Sequence, residues 1–152
     1  MPTVGLILGS ESDRDIGDKI FKILTNFKIK VEYKIISAHR NPEALKGYLK
    51  KNEAEVYVAV AGLSAALPGT IAAHTIKPVI GVPKEVKISG LDALLSIVQM
   101  PPGIPVACVG IDNATNAAIM AITILTLRYN ELKEKLIEYR KELKKKGLKS
   151  IN

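Results

Sequence analysis

The chain has 152 residues, 47% of them hydrophobic and 24% charged, with a formal net charge of +7 and one cysteine. That length and apolar content suit one domain with one core, the lone Cys108 excludes an internal disulfide, and no continuous apolar run is long enough for a membrane span. Five of the seven net positive charges fall between Arg128 and Lys149, and with no Trp and 5% aromatic residues this stretch reads as a solvated helix face, not a nucleic-acid surface. Met1-Pro2-Thr3 runs straight into a strand-like segment with no basic-then-apolar leader. A cytoplasmic location is therefore the expectation.

Thr3–Leu8 is a nearly continuous apolar run and predicts a buried strand. The run Gly9-Ser10-Glu11-Ser12-Asp13 follows, then a helical pattern through Ile16, Ile20, Ile23 and Leu24. Residues 29–36 are rich in β-branched side chains and predict a second strand. Asn41-Pro42-Glu43 is a helix start, because Asn caps and Pro fits the first turn; this helix is expected to end near Lys51. Residues 56–61 predict a third strand, followed by a small-residue loop over 62–69 and a short helix. A fourth strand is expected at 78–82, a helix near 90–99, a strand at 105–109 and a helix from Asn113 to Leu127.

Apolar strands alternating with helices imply an α/β fold: a parallel sheet covered on both faces, a three-layer αβα sandwich. Ligands in such sheets bind beyond the carboxyl ends of the strands. We expect residues 1–152 to form a single catalytic domain, with 129–147 as a helical extension. Leu132, Leu136, Tyr139 and Leu143 make one apolar stripe there at helical spacing. The stripe can cover its own domain or dock on another subunit; the α/β unit looks complete without it, so docking on another subunit is the expectation.

Chemistry-bearing residues cluster where predicted strands end. Gly9, Ser10 and Ser12 join a strand end to a helix start, where free N–H groups and the helix dipole favour an anion. Asp13 would repel a phosphate and is better suited to accept hydrogen bonds from ribose hydroxyls. A plain helix cap by Ser10 or Ser12 is the other reading. Ser37-Ala38-His39-Arg40 follows the second strand. Arg40 can grip phosphate or carboxylate in a bidentate way, and a histidine such as His39 can both donate and accept a proton near neutrality; a surface His–Arg pair is the alternative. The stretch from Ala61 through Gly62 to Leu67, Pro68 and Gly69 offers space and backbone N–H groups near a planar ligand, or serves only as a tight turn. The double proline at Pro101-Pro102 makes a stiff loop suited to covering a pocket. Asn113 reads as a helix cap. No metal site is visible, since His39 and His74 lie far apart and one Cys adds no ligand spacing. No hydrolase nucleophile elbow and no Walker or dinucleotide glycine pattern appears either.

Together, in order and spacing, Gly9 to Asp13, Ser37 to Arg40, Ala61-Gly62 with Leu67-Pro68-Gly69, Val79 to Pro83, Gly90 to Pro101 and Asn113-Ala114 resemble the N5-carboxyaminoimidazole ribonucleotide mutase family of purine biosynthesis. That family includes the related aminoimidazole ribonucleotide carboxylases. The resemblance covers roughly residues 3 to 125. It implies a flavodoxin-like fold, a homo-octamer, and a small-molecule ribonucleotide substrate with carbon dioxide as partner. It implies that Ser10, Asp13 and Arg40 contact the ribonucleotide, that Ser12 and Ser37 complete the phosphate and ribose pocket, that Ala61, Gly62 and Leu67 line it, and that His39 is the acid/base. The reaction moves a carboxyl group from an exocyclic nitrogen to a ring carbon by decarboxylation and recarboxylation, with no metal or organic cofactor implied.

One position departs from the pattern. The usual family loop reads Gly-Gly-Ala-Ala-His-Leu-Pro-Gly, whereas this chain has Gly62-Leu63-Ser64-Ala65-Ala66-Leu67-Pro68-Gly69. Ala66 stands at the second-histidine position, and His74 lies about 12 Å further along a helix. Direct carboxylation of aminoimidazole ribonucleotide is therefore an alternative reaction, and a non-catalytic nucleotide-binding module is another. Arg40 favours the mutase, because the carboxylase branch tends to have lysine there.

Overall fold

The computed structural model describes residues 1–148. Five parallel strands form one sheet in the order β2-β1-β3-β4-β5: β1 Thr3–Leu8, β2 Lys30–Ile35, β3 Val56–Gly62, β4 Val79–Lys84 and β5 Ala107–Cys108. Six helices connect and flank them: α1 Arg14–Asn26, α2 Pro42–Lys51, α3 Leu67–Ala72, α4 Leu91–Val98, α5 Ala114–Leu125 and α6 Asn130–Gly147. This is a flavodoxin-like α/β fold.

Strand alternation sorts the side chains into two cores. Val4, Leu6 and Leu8 of β1, with Val56, Val58 and Val60 of β3, meet α1 and α5 on one face. Ile7, Tyr57, Ala59 and Ala61 meet α2, α3 and α4 on the other. All six residues of β1 are buried, as a central strand covered on both faces requires. Glycines allow the closest approaches. A Cβ on Gly5 would stand 2.7 Å from the Tyr57 ring, and one on Gly81 would stand 2.5 Å from Ile97 of α4.

Both outer strands differ from the central ones. On β2, Lys30 and Lys34 are exposed. Glu32 accepts a hydrogen bond from Tyr48 of α2 at 2.9 Å, and Tyr33 donates to Asp18 at 2.8 Å while stacking on Phe21. Burial and these carboxylate partners raise the pKa of both tyrosines. The last strand is shorter than the expected 105–109. Only Ala107 and Cys108 pair, with Ile80 and Gly81; Pro105 has no N–H to give the ladder at the strand's start, and beyond its end Val109 N–H still bonds the Gly81 carbonyl at 3.2 Å. The fourth strand is longer than the expected 78–82. Through Pro83 and Lys84 it stays in register with Ala61 and Gly62.

The tail forms the expected helix, but its first half packs on its own domain. Leu132 is fully buried and Leu136 nearly so, in the core shared by α1 and α5. Tyr139 meets Phe27 edge-on with ring centroids 6.0 Å apart, and Lys135 Nζ donates to the Phe27 carbonyl at 3.2 Å. The apolar ends of α1 and α5 would otherwise face water, so the α/β unit is not complete without this half-helix. Leu143, by contrast, is 48% exposed. Among the described residues no helix is long and apolar enough to cross a membrane. Leu132→Ala should lower unfolding stability by about 2–5 kcal/mol, read from the denaturant midpoint.

Candidate active site

Three loops meet at the carboxyl ends of β1, β2 and β3. They enclose a cavity of about 460 Å³ whose wall includes Ser10, Ser12, Asp13, Ser37, His39, Arg40, Ala61, Gly62 and Leu67. The nine residues that the family resemblance assigns to the substrate pocket therefore share one cavity, at the crevice where the connection after β1 goes to one face of the sheet and that after β3 goes to the other.

The first loop is held tightly. Gly9 N–H bonds the Val60 carbonyl at 3.0 Å, so the ladder between β1 and β3 reaches the edge of the cavity. A 3-10 turn over Glu11–Asp13 then leads into α1. Ser10 N–H donates to Asp13 Oδ2 at 2.9 Å, one half of a capping box. The Ser10 and Ser12 hydroxyl oxygens lie 2.6 Å apart. The cap and the ligand-facing readings of this run are thus compatible: Asp13 satisfies the Ser10 amide while both serine side chains line the cavity. Asp13 is only 3% exposed. Burial pushes its carboxyl above the ordinary value, and the Ser10 amide and the Lys84 ammonium pull it partly back.

The second loop continues from β2, with Ile36 N–H on the Leu8 carbonyl at 2.9 Å. Ser37 closes a turn: its Oγ accepts from Arg40 N–H at 3.1 Å, and its carbonyl accepts from Asn41 N–H at 2.9 Å. The Ser37 hydroxyl keeps its own proton to donate. His39 and Arg40 sit at the exposed crest of this turn. The guanidinium of Arg40 enters none of the ion pairs among the described residues.

The third loop forms the apolar wall. Ala61, Ala65 and Leu67 are all at least 95% buried. The helix α3 begins at Leu67, inside the stretch expected to be loop; Ala66 occupies its cap position, and its carbonyl accepts from Thr70 N–H at 2.9 Å and Thr70 Oγ1 at 2.8 Å. Leu63 adopts φ 56, a left-handed conformation that suits the glycine of the family pattern better than a leucine.

Other candidates separate from the cavity. His74 is exposed, its Nδ1 lies 2.8 Å from the Thr70 carbonyl, and it is not on the cavity wall. Pro101, Pro102 and Gly103 line a separate depression with Val98 and Val106, so within this chain that loop does not cover the cavity. Asn113 caps α5, its side chain accepting from Asn116 N–H at 3.0 Å. Among the described residues no group of three or more His, Cys, Asp or Glu could hold a metal ion. Sequence reasoning missed Lys84 and Val86. Val86 lines the cavity, and Lys84 bonds the first loop from β4. The continuation of β4 beyond Pro83 was the only available signal for either.

Comparison with known proteins adds independent observations. The AIR carboxylase family profile matches residues 3–146. The chain is 54% identical to the N5-carboxyaminoimidazole ribonucleotide mutase of Methanocaldococcus jannaschii, over 93% of this chain and 90% of that protein. It is 47% identical to the protein of the same name from Thermotoga maritima, over 97% of this chain and 89% of that one. The crystal structure of Treponema denticola PurE superposes with a TM-score of 0.88 at 30% identity, covering 96% of this chain and 94% of that one.

The raised Asp13 pKa has a definite sign. The folded state holds this proton to higher pH than the unfolded chain does, so stability falls as pH rises from the ordinary value near 3.8 through the folded one. Above that window the charged carboxylate costs stability. Asp13→Asn, which keeps an acceptor for the Ser10 amide, should therefore unfold at or above the parent's midpoint at pH 7, with the difference shrinking in acid. Thermal unfolding at both pH values measures this, and a large loss at pH 7 would contradict it.

Proposed function

The chain belongs to the AIR carboxylase family, and from that premise we propose that it converts N5-carboxyaminoimidazole ribonucleotide to 4-carboxy-5-aminoimidazole ribonucleotide in purine biosynthesis. The observation that carries this reading is the arrangement of His39 and Arg40 on one rim of the cavity and Ser10, Ser12 and Asp13 on another. An anionic group is received by Arg40, the serine hydroxyls and the amides at the start of the α1 segment. Asp13 accepts from ribose hydroxyls. Ala61, Gly62 and Leu67 pack against the base, and Ser37 adds a hydroxyl donor.

His39 carries the proton. As the imidazolium it protonates the carbamate nitrogen while the N–C bond breaks and carbon dioxide leaves. The ring carbon then attacks carbon dioxide, and neutral His39 takes the proton that this carbon loses. One proton leaves and returns, so the reaction is a net isomerisation and needs no redox partner. The apolar wall of Ala61, Ala65 and Leu67 limits water beside the released carbon dioxide.

Ala66 favours a second reading, direct carboxylation of aminoimidazole ribonucleotide, because it offers no imidazole where the family pattern has one. The close relatives named as mutases support the first. We also propose that the enzyme is cytoplasmic, in line with its unpaired Cys108, and works as a homo-octamer. Leu91, Leu95 and Val98 give α4 an exposed apolar stripe suited to subunit contacts, and the outer part of α6 around Leu143 is proposed to dock on another subunit. Residues 1–152 then act as the expected single catalytic domain, residues 149–152 lying outside the described ones.

Supplied separately with each ribonucleotide, the protein should turn over the N5-carboxylated one. Consumption of aminoimidazole ribonucleotide and carbon dioxide alone would select the second reading. His39→Asn should lose about 10²- to 10⁴-fold in kcat with ribonucleotide affinity retained, and parent-like turnover would remove His39 from the mechanism.

A further inference from the structure

The loop that would receive an anionic ligand is itself acidic. Glu11, Asp13 and Asp15 put three carboxylates within five residues. Arg14 answers one of them, with its guanidinium 2.6 Å from Glu11. The cation that answers the others comes from elsewhere in the fold. Lys84, at the carboxyl end of β4, places Nζ 2.7 Å from Asp15 Oδ1 and donates to the Ser12 carbonyl. Its side chain is only 14% exposed while that of Asp15 is 62% exposed, so the lysine is held against the turn and the carboxylate remains open to solvent screening.

To make these bonds Lys84 crosses the end of β3, which lies between β4 and β1 in the sheet. Gly62 is its register partner on β3. A Cβ on Gly62 would stand 2.7 Å from Val86 Cγ2 but at ordinary contact distance, 3.7 Å, from Lys84 Cβ, so the glycine makes room for Val86 rather than for the lysine. Lys84 is not on the cavity wall. It bonds to the backbone of Ser12, whose side chain is on the wall, and its charge also favours the ionised form of Asp13.

We propose that Lys84 is a positioning residue for the substrate's anionic group: it fixes the Ser12 backbone and neutralises the acidic turn so that the Ser10 and Ser12 hydroxyls meet the ligand with little opposing charge. This inference rests on the reading of the cavity as a ribonucleotide site. The same bonds also predict an effect that needs no ligand, a more mobile turn when they are cut.

The test compares Lys84→Met, Lys84→Gln and Lys84→Arg with the parent enzyme. Met and Gln keep most of the stem but lose the charge, and Gln serves if Met does not fold. Both should raise KM for the N5-carboxylated ribonucleotide about tenfold, with kcat within about twofold of the parent. Arg keeps charge and donors and should recover most of the affinity. Hydrogen exchange at the amides of residues 10–15 should quicken in Met and Gln without ligand and return toward the parent rate in Arg. A parent enzyme that consumes no ribonucleotide overturns the functional reading, while the exchange data still decide whether Lys84 holds the turn. Unchanged KM and unchanged exchange in both neutral variants overturn the inference. So does a joint fall of kcat and thermal midpoint that Arg fails to restore, because that marks Lys84 as a general stability residue.

Discussion

The site depends on how the two faces of the sheet are covered. The central strands β1 and β3 are apolar on both faces, so the chain must send helices to both sides. The segment after β1 goes to the side of α1 and α5, and the segment after β3 goes to the side of α2, α3 and α4. The two departing loops spread apart at adjacent strand ends and leave a crevice there. Burial on both faces thus creates the opening into which Ser10, Ser12 and Asp13 project from one side and Ala61, Gly62 and Leu67 from the other. The turn after β2, carrying His39 and Arg40, closes the third side.

Electrostatics within this crevice run against the chain as a whole. The protein is basic by seven charges, and α6 carries much of that excess. The first turn at the cavity is acidic instead. Its carboxylates suit the positive end of α1 but would oppose an anionic ligand. Arg14 and Lys84 offset two of them, Arg40 enters no ion pair among the described residues, and Asp13 is left to accept hydrogen bonds. Net charge therefore says little about what the site attracts, whereas the pairing of individual charges says a good deal.

Local pattern made most of the fold legible. Strand runs such as 56–61, the Asn41-Pro42 helix start and the cap at Asn113 all appear where neighbouring residues specify them. The site residues were legible because each ends a strand or begins a helix, and parallel-sheet topology brings those ends together. Features that depend on distant partners were not. Nothing near Lys84 announces a bond to Asp15, 69 positions earlier. The left-handed backbone at Leu63 contradicts the preference of its own residue type. The inner half of α6 reads as an addition to the α/β unit because the α1 and α5 residues that Leu132 and Leu136 pack with are not marked by any local pattern in the tail.

An open sheet has two edges with unpaired backbone groups, and each can recruit a strand from another molecule. Here the edges are defended differently. One outer strand, β5, offers only two paired residues, too short a template to start a foreign ladder. The other, β2, is six residues long but carries Lys30 and Lys34 exposed beside Glu32. An incoming copy in parallel register would bring lysine against lysine, at a spacing where like charges repel. This charge pattern and the short far edge oppose growth of the sheet by strand addition, even when the protein is crowded.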